Sequence, residues 1–468
     1  MLAAGSVTRS DSFSATMAGQ PWFAWEWLFD LGAAVVHSRA GLNGVVWLTA
    51  LVIAATFTLT LGMILHRGAS LPVALVTILL AVCASTIHFF ARPHVLGWLL
   101  TVIWFWILDS SEAEIGHRRR LFWLPVLMLA WANLHGGFVI GLVLCGLYLI
   151  GGWIQIVRLD AFGRACSRPW LWTLGWMTTL SALATLVNPY GYRLHLHIYR
   201  YLTDRFLMDH IEEFASPNFH GVAQQCFAVI LLLALVAMAW SRDRVRPSQL
   251  LVVLFAAYSG LYASRSLPGS SLLLVLVAAP LLSDGLRWAA LTARPPLRAW
   301  LVRFEAFAAR MGRLEADTRG HLWAIAVVIL GCVVSLNGGR LGGRPLMNAE
   351  FDRERFPVHA VDAIAGRGTP EPIFAPDYWG GYLINRLYPH NKVFIDDRHD
   401  FYGVPYLKKY LKVMHVLPGW EQVLADWKVH WILVPADSSL ANILPERPGW
   451  KLVYQDRQAR LFETAGGD

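Results

Sequence analysis

The chain has 468 residues, of which 56% are hydrophobic and only 15% are charged, and its mean hydropathy is +0.45. A water-soluble protein carries about 25% charged residues, so this composition excludes an ordinary soluble fold. The formal net charge of +8 does not indicate nucleic-acid binding, because the arginines cluster in loops between apolar segments. The sequence therefore predicts a polytopic membrane protein, with the lipid bilayer and no nucleic acid as its partner.

The first 40 residues contain no apolar segment of membrane-spanning length. Residues 1–20 are polar and lack the apolar core of a signal peptide. Three tryptophans, Trp22, Trp25 and Trp27, then surround Glu26, a composition typical of an interfacial segment. We expect residues 1–40 to form an interfacial N-terminal segment.

Ten apolar segments follow, two or three of them short for a hydrocarbon core of about 30 Å. They predict about ten transmembrane helices, in a mainly α-helical domain of residues 41–340. The approximate bounds are 43–65, 71–90, 94–108, 121–133, 137–157, 171–187, 222–240, 248–264, 268–283 and 321–336.

The arginines predict the orientation of these segments. One set of loops contains 17 of them, whereas the other set, together with the N-terminal segment, contains 7. The positive-inside rule places the first set in the cytoplasm, and an even number of spans then places both ends of the chain outside. This predicts a multi-pass protein of the inner (plasma) membrane whose unusual polar residues gather on the extracytoplasmic side. The cytoplasmic set includes Arg118, Arg119, Arg120, Arg242, Arg244, Arg246 and Arg319.

From Arg344 onward the composition becomes that of a soluble protein. Short strands alternate with helices, which predicts a small extracytoplasmic α/β domain over residues 345–468. The predicted strands are Ile373–Ala375, Lys392–Ile395 and His430–Val434, and the predicted helices are Gly380–Leu387, Pro405–Val416 and Gly419–Trp427.

Two outer carboxylates are candidates for a general base. Tryptophan-rich surroundings favour proton acceptance by Glu26, because they raise the pKa of a carboxylate. A glutamate that binds the start of a helix fits the same pattern equally well. Asp11, in Asp-Ser-Phe-Ser, is the second candidate, and a plain turn residue is its alternative.

Two arginines are candidates for binding a phosphate at the outer lip of the membrane, since a guanidinium can hold phosphate bidentately. Arg92 lies between His88 and His94, and an arginine that snorkels to lipid headgroups is the alternative there. Arg265 lies in a tight hairpin between two apolar segments. It is the best single candidate for a lipid-linked phosphate.

Polar residues also interrupt the apolar sequence at Trp131–Gly141, where Asn133 and His135 precede two glycines. Such groups are costly in hydrocarbon unless they face protein or water, so we expect a turn at the lip of a cavity. A buried histidine that caps a helix end is an equally good interpretation. Asn188 and Tyr190, in Asn-Pro-Tyr-Gly, are further candidates for substrate binding, although Pro and Gly there predict a structural turn.

The outer loop of residues 192–221 carries imidazoles and carboxylates, which are ligand types for divalent metals. Their spacing matches no known metal site, so no cofactor is assigned and a divalent metal is left open. The residues are His195, His197, Asp209, His210, Glu212, Glu213 and His220.

Taken together, the outer motifs resemble a family of bacterial membrane glycosyltransferases of the GT-C type, over nearly the whole chain. The resemblance implies a polytopic enzyme that uses a polyprenyl-phosphate-linked sugar, with its catalytic carboxylate in the first outer loop. Asp11 and Glu26 fall in the corresponding segment. The motifs are Asp11-Ser12-Phe13-Ser14, Gly19-Gln20-Pro21-Trp22, Glu26-Trp27-Leu28, Trp131 to Gly137, Asn188-Pro189-Tyr190-Gly191, Arg265 before Pro268, Trp379 to Leu383 and Val393 to Arg398.

The chain departs from the family pattern in two places. Relatives have a transmembrane helix and an Asp- and His-bearing stretch ahead of the Asp11 segment, so the resemblance implies either a misassigned start codon or an N-terminally truncated member. In the tail, relatives tend to have glycine where this chain has Asp397. We do not interpret Asp396 and Asp397 as a nucleotide-sugar metal site, because the tail domain is expected outside.

Two functions follow from these observations. The first is transfer of a sugar from a polyprenyl-phosphate-linked donor to an extracytoplasmic acceptor. A carboxylate would act as the base, and Arg92 and Arg265 would stabilise the leaving phosphate. The alternative is a non-catalytic membrane scaffold or a transporter of lipid or polysaccharide. Transporters tend to carry charges at mid-depth, whereas these apolar segments are nearly free of them, which favours the enzyme. We expect His135 to shape the cavity floor beside the carboxylate.

Overall fold

The computed structural model describes residues 1, 5–241, 245–318, 320–365 and 372–464, apart from the side chains of residues 115, 166 and 316. Arg242, Arg244 and Arg319, counted above among the cytoplasmic arginines, lie outside the described residues. The chain is mostly helical and forms two compact units. The larger unit comprises residues 25–203 and 208–348, and the smaller unit comprises residues 1–24, 204–207 and 349–468.

Each of the ten apolar segments is helical, because none contains the run of turn residues that would end a helix. Most begin or end within a few residues of the predicted bounds. The helices are α1 (Trp27–His66), α2 (Leu71–Ser85), α3 (His94–Ala113), α4 (Trp123–Leu134), α5 (Phe138–Arg158), α6 (Ala161–Ala184), α7 (Arg193–Thr203), α8 (Arg205–His210), α9 (Val222–Trp240), α10 (Pro247–Tyr262), α11 (Leu267–Thr292), α12 (Leu297–Asp317) and α13 (Gly320–Leu336).

In the described part of the chain, six helical segments are long and apolar enough to cross a membrane, and a seventh is added if α12 and α13 count as one bent span. Helix α10 is apolar but shorter. The mainly helical membrane class is therefore confirmed, whereas a count of about ten spans stays a prediction.

Helix α11 forms the centre of the larger unit. It is apolar on every side and almost entirely buried, which is what a helix surrounded by other helices requires. Helix α1 changes direction at Gly41, whose φ of 58° and ψ of −156° are non-helical. Glycine takes this conformation without the steric cost of a Cβ. The break separates residues 27–40 from the long apolar part of α1.

A buried charge network links α3 and α5 to the end of α1 and the start of α10 in the larger unit, and we call its location the Asp109 end. The guanidinium of Arg67 lies 3.0 Å from Asp109, and that of Arg246 contacts both Asp109 and Glu112. The hydroxyl of Tyr148, from α5, donates to Asp109 at 3.0 Å. Two arginines and two carboxylates cancel in charge, which is how charged groups are tolerated in a buried place.

The smaller unit contains a four-stranded sheet with the order β3-β4-β6-β5, in which β3 and β4 are parallel and the other pairs antiparallel. A short hairpin, β1 and β2, belongs to the larger unit. The elements are β1 (Arg340–Leu341), β2 (Arg344–Pro345), α14 (Val358–Ala365), β3 (Ile373–Phe374), α15 (Asp377–Leu387), α16 (His399–Tyr402), α17 (Val404–Met414), α18 (Trp420–Asp426), β4 (Trp431–Pro435), α19 (Ser439–Ile443), β5 (Trp450–Gln455) and β6 (Ala459–Thr464).

The N-terminal segment extends this sheet. Val393 forms isolated parallel bridges with Ile373 on one side and with Ser14 on the other. The predicted strand Lys392–Ile395 is therefore reduced to bridges at one residue. The ladder stops there because the carbonyl of Phe394 accepts hydrogen bonds from the hydroxyls of Thr16 and Tyr406 at 2.8 and 2.7 Å.

Candidate functional site

The stretch Trp131–Gly141 forms a tight turn between two helices, as its sequence predicts. Helix α4 ends at Leu134 and α5 begins at Phe138, while His135 has an extended backbone. The amide of Gly137 donates to Nδ1 of His135 at 2.9 Å, which fixes the imidazole against the turn. A Cβ at Gly136 would collide with the ring of Trp25, so glycine there allows that ring to lie on the turn.

His135 and Glu26 face each other across this turn. Nε2 of His135 lies 3.6 Å from Oε1 of Glu26, and the two side chains are 11% and 24% exposed. Burial, followed by the nearby charges of Arg265 and His94, lowers the pKa of His135 well below its ordinary value. The imidazole is therefore neutral, and because Nδ1 accepts a hydrogen bond, the ring proton is on Nε2. That N–H points its positive end at the carboxylate, at a distance longer than a hydrogen bond.

Asn133 links the start of α1 to the same turn. Its Oδ1 accepts from the indole of Trp27 at 2.9 Å, and its Nδ2 donates to the carbonyls of Leu129 and Val187, each at 2.9 Å. The residue next to Glu26 is thus tied to the residue two before His135. Asn133 holds the two sides of the site together.

Asn188 makes the contacts of a turn residue. Its side chain donates to the carbonyls of Thr185 and Gly191 and accepts from the amide of Tyr190 at 2.7 Å. These bonds close the turn after α6. The geometry accounts for Asn188 structurally, and its role in substrate binding, like that of Tyr190, stays a prediction.

Arg265 lies at the same end of the larger unit, which we call the His135 end. Its Nη1 lies 2.8 Å from Oε1 of Glu213, and its guanidinium stacks over the ring of Phe214 with 5.3 Å to the centroid. Nε2 of His88 lies 3.1 Å from the carbonyl oxygen of the neighbouring Ser264. About a third of the Arg265 side chain is exposed, so the cation is anchored and still accessible.

His94 and Arg92 begin helix α3 at this end. Nε2 of His94 contacts the carbonyl of His88 at 2.8 Å, and its ring packs against Trp98. The guanidinium of Arg92 lies 6.0 Å from the ring centroid of Phe90. Position 97, one turn into α3, faces the His135 ring, because a Cβ on Gly97 would lie 3.3 Å from Nδ1.

An apolar cavity of about 550 Å³ adjoins this site. Its wall includes Trp27, whose neighbour is Glu26, and Asn133. The amide groups of both asparagines in the wall are already hydrogen-bonded within the protein, so the free surface is hydrocarbon. The lining residues are Trp27, Leu28, Val126, Leu129, Ala130, Asn133, Val187, Asn188 and Pro189.

Asp11 belongs to the smaller unit, where it is fully enclosed. Its side chain accepts hydrogen bonds from the amide and hydroxyl of Ser14 at 2.9 and 2.6 Å, and it lies 2.8 Å from Arg398. Burial raises the pKa of Asp11, but the bonds from Ser14 and Arg398 outweigh it and hold the pKa below its ordinary value. A carboxylate in this state is a weak proton acceptor.

Arg398 also accounts for the acidic pair in the tail. It binds Asp396 through two parallel bonds of 2.7 and 2.6 Å, and its guanidinium stacks over the rings of Trp22 and Phe401. The second oxygen of Asp396 also accepts from the hydroxyl of Tyr402. Both oxygens of Asp396 are thus engaged by an arginine, and one of them also by a tyrosine.

Among the described residues, no group of three or more His, Cys, Asp or Glu side chains could hold a metal ion. Two members of the loop 192–221 have other partners. His195 Nε2 lies 2.8 Å from the hydroxyl of Thr185, and Glu213 binds Arg265.

Two sets of charged residues are not evident from the sequence. Arg67 and Arg246 of the Asp109 network fit the positive-inside pattern, which indicates orientation and not pairing with Asp109. The pairing of Asp11 with Arg398 joins residues 387 positions apart, which no local pattern reveals. The three-residue spacing of Asp109 and Glu112 at the end of an apolar segment was the available signal for the first set.

The helical bundle is similar in fold to membrane glycosyltransferases of the GT-C type. ArnT from Cupriavidus metallidurans in complex with undecaprenyl phosphate is 16% identical, with a TM-score of 0.48 over 100% of this chain and 92% of that chain. The apo form of the same enzyme is 17% identical, with a TM-score of 0.47 over 94% and 88% of the two chains.

The archaeal oligosaccharyltransferase AglB from Archaeoglobus fulgidus, in complex with an inhibitory peptide and a dolichol-phosphate, is 12% identical. Its TM-score is 0.47 over 96% of this chain and 67% of that chain. No family model matches the sequence, and neither does any curated protein. At these identities the likeness is one of fold alone.

Proposed function

We propose that this chain is a membrane glycosyltransferase that moves a sugar from a polyprenyl-phosphate-linked donor to an acceptor on the extracytoplasmic side. The observation that carries the proposal is the contact of 3.6 Å between Glu26 and His135, beside an apolar cavity and at the same end of the bundle as Arg265. A carboxylate, a cation and a hydrocarbon groove are the three features that this reaction requires.

The cavity suits the lipid part of the donor. Its wall is formed by apolar side chains of α1 and α4 and by the turn after α6, and its volume of about 550 Å³ holds several isoprene units but not a whole carrier. Each methylene group buried there contributes roughly 0.8 kcal/mol. The groove would therefore hold the segment of the carrier next to the phosphate.

Glu26 is the group that we assign as the general base. The acceptor hydroxyl attacks the anomeric carbon, the bond from that carbon to the phosphate oxygen breaks, and Glu26 takes the hydroxyl proton. The phosphate leaves with the electron pair, so one direct displacement inverts the anomeric centre. The Nε2–H of His135 would orient Glu26 for this step, which makes His135 a positioning residue.

Arg265 and Arg92 are assigned to the leaving phosphate, whose negative charge grows as the bond breaks. Arg265 is held by Glu213 and remains partly exposed, so an incoming phosphate can reach its guanidinium. Asp11 is the weaker candidate for the base, since Ser14 and Arg398 already occupy its oxygens.

The test compares Glu26→Gln with Glu212→Gln, an exposed carboxylate of the outer loop. Full-length protein in liposomes receives undecaprenyl-phosphate sugars carrying radiolabelled hexoses or pentoses, and release of undecaprenyl phosphate is measured. Wild type and Glu212→Gln should turn over at least one donor, and Glu26→Gln should be about 100-fold slower or worse. Equal rates for Glu26→Gln and wild type would refute the assignment of the base. A folded wild type that consumes no donor would favour the scaffold or transporter.

A further inference from the structure

A second cavity lies at the Asp109 end of the bundle, opposite to the site described above. Its volume is about 140 Å³, room for about four or five water molecules at roughly 30 Å³ each. A nucleotide or a sugar-lipid would not fit, whereas a small polar group would. The lining residues are Ser111, Glu112, Arg118, Gly152, Gln155, Ser167, Pro169 and Trp170.

Two buried oxygens in this lining have no hydrogen-bond partner among the described residues. They are Oε1 of Glu112 and Oε1 of Gln155. The Glu112 side chain is only 5% exposed, and its other oxygen accepts from Arg246 at 2.9 Å and from Ser248 at 2.6 Å. Buried acceptors are almost always satisfied in proteins, so these two indicate a ligand that donates hydrogen bonds.

The charges around the cavity narrow the choice of ligand. Glu112 supplies an unpaired carboxylate oxygen at the buried wall, and Arg118 lies in the lining with an exposed side chain. A primary ammonium carries three N–H donors and no acceptor, and so it can satisfy both oxygens at once. Arg118 would repel a bare cation but would bind a phosphate joined to the ammonium.

The position of the cavity indicates where such a group comes from. Glu112 is the penultimate residue of α3, and Gln155 lies three residues before the end of α5, both helices of membrane-spanning length. The ends of such helices lie at the depth of the lipid headgroups. Trp170, which donates to Ser111 at 3.0 Å, is the residue type that favours this depth.

We propose that this cavity binds the headgroup of a phosphoethanolamine lipid. The ammonium would contact Glu112 and Gln155, and the phosphate would contact Arg118. The proposal is independent of the transferase assignment, because it involves no residue of the His135 end.

The test uses full-length protein in nanodiscs that contain equal amounts of phosphatidylethanolamine and phosphatidylcholine. Native mass spectrometry of the released protein measures which lipid stays bound. Phosphatidylcholine has the same phosphate, but its trimethylated nitrogen has no N–H donor. We expect wild type to retain phosphatidylethanolamine about tenfold better than phosphatidylcholine, since hydrogen bonds to a charged donor would be lost.

Two variants test the contacts, each with its folding checked by thermal unfolding. Gln155→Leu removes one unpaired acceptor without disturbing Arg246, and Arg118→Ala removes the cation. Arg119→Ala, at the next position and outside the cavity lining, is the matched control. We expect the first two to lose most of the preference and the control to keep it.

Three results would overturn the proposal. Equal retention of the two lipids by wild type would show that no ammonium donor is recognised. A preference unchanged in both Gln155→Leu and Arg118→Ala would place the lipid elsewhere and leave water in the cavity. Binding of millimolar soluble phosphoethanolamine, with no phosphatidylethanolamine retained, would keep the ammonium site but refute its assignment to a lipid.

Discussion

Nε2 of His135 lies 3.6 Å from Oε1 of Glu26, although 109 positions separate the two residues in the sequence. Its other ring nitrogen is occupied by the amide of Gly137, which leaves the Nε2–H for the carboxylate. The turn of residues 135–137 therefore presents an N–H group to Glu26, and the first prediction concerns this pair.

His135→Asn should keep the turn and lose the contact with Glu26. An asparagine oxygen can accept from the amide two residues on, as Nδ1 does now. We expect transfer to fall about tenfold to 100-fold, less than in Glu26→Gln, because a misoriented base still acts while a missing one does not. His220→Asn, at an exposed histidine, should leave transfer unchanged. A loss in His135→Asn as large as in Glu26→Gln would make His135 the catalytic group.

The same variant predicts a pH effect on stability. The pKa of His135 in the folded protein lies below its unfolded value of about 6.5, so protons bind the unfolded chain more readily between these values. Wild type should therefore lose stability as the pH falls below about 6.5, by at most about 1.4 kcal/mol per pH unit from this residue. Thermal unfolding at pH 7.5 and 5.0 should show a smaller loss in His135→Asn. Identical losses would contradict a buried neutral imidazole.

Two alternative roles for Arg265 can be distinguished experimentally through its partner Glu213. If the guanidinium serves only to hold the loop at Glu213 and Phe214, Glu213→Gln should impair transfer nearly as much as Arg265→Ala. If it binds the leaving phosphate, Arg265→Ala should slow turnover about 100-fold or more, the usual scale for losing a group that stabilises developing charge. We expect Glu213→Gln to stay within a few-fold of wild type. The measurement is the maximal rate of donor consumption for both single variants and the double variant.

The apolar cavity should control the affinity for the lipid carrier. Leu129 lines it and is 40% exposed, so Leu129→Trp would fill part of the groove. Displacing about two methylene groups of the carrier would cost about 1.6 kcal/mol, which corresponds to a roughly tenfold higher KM for the donor. Leu180→Trp, at a 44% exposed leucine of α6 outside the cavity lining, is the matched control. A normal KM in Leu129→Trp would remove the groove from the mechanism.

The sequence predicts local features better than it predicts contacts between residues that are far apart in the chain. Apolar runs determine the ten helical segments, and the polar break at Asn133 and His135 determines the turn, because both depend on neighbouring residues. The network of Arg67, Asp109 and Arg246 depends instead on how three helices pack. Periodicity and charge counts predict only that these arginines lie in loops, since neither measure contains information about contacts between distant segments.

The contact between Asp11 and Arg398 is likewise not predictable from the sequence, and the last prediction concerns it. The Asp11 side chain is fully buried against Arg398. Within the smaller unit, backbone hydrogen bonds join Phe13 and Ala15 of the N-terminal segment to Val393. In Asp11→Asn, Asp396 remains as the partner of Arg398 and the second carboxylate is lost. Removal of one partner of a buried ion pair lowers the free energy of unfolding by about 3 to 5 kcal/mol.

Hydrogen exchange of the Ala15 and Val393 amides measures this loss of stability locally in the full-length protein. The Ala15 amide donates to the carbonyl of Val393, and the Val393 amide donates to the carbonyl of Phe13. We expect both amides to lose protection in Asp11→Asn. Asp362→Asn breaks a more exposed pair with Arg386 and should change protection by less than about 1 kcal/mol. An Asp11→Asn protein with normal protection but no transfer would instead make Asp11 the base, since a catalytic role needs no contribution to stability.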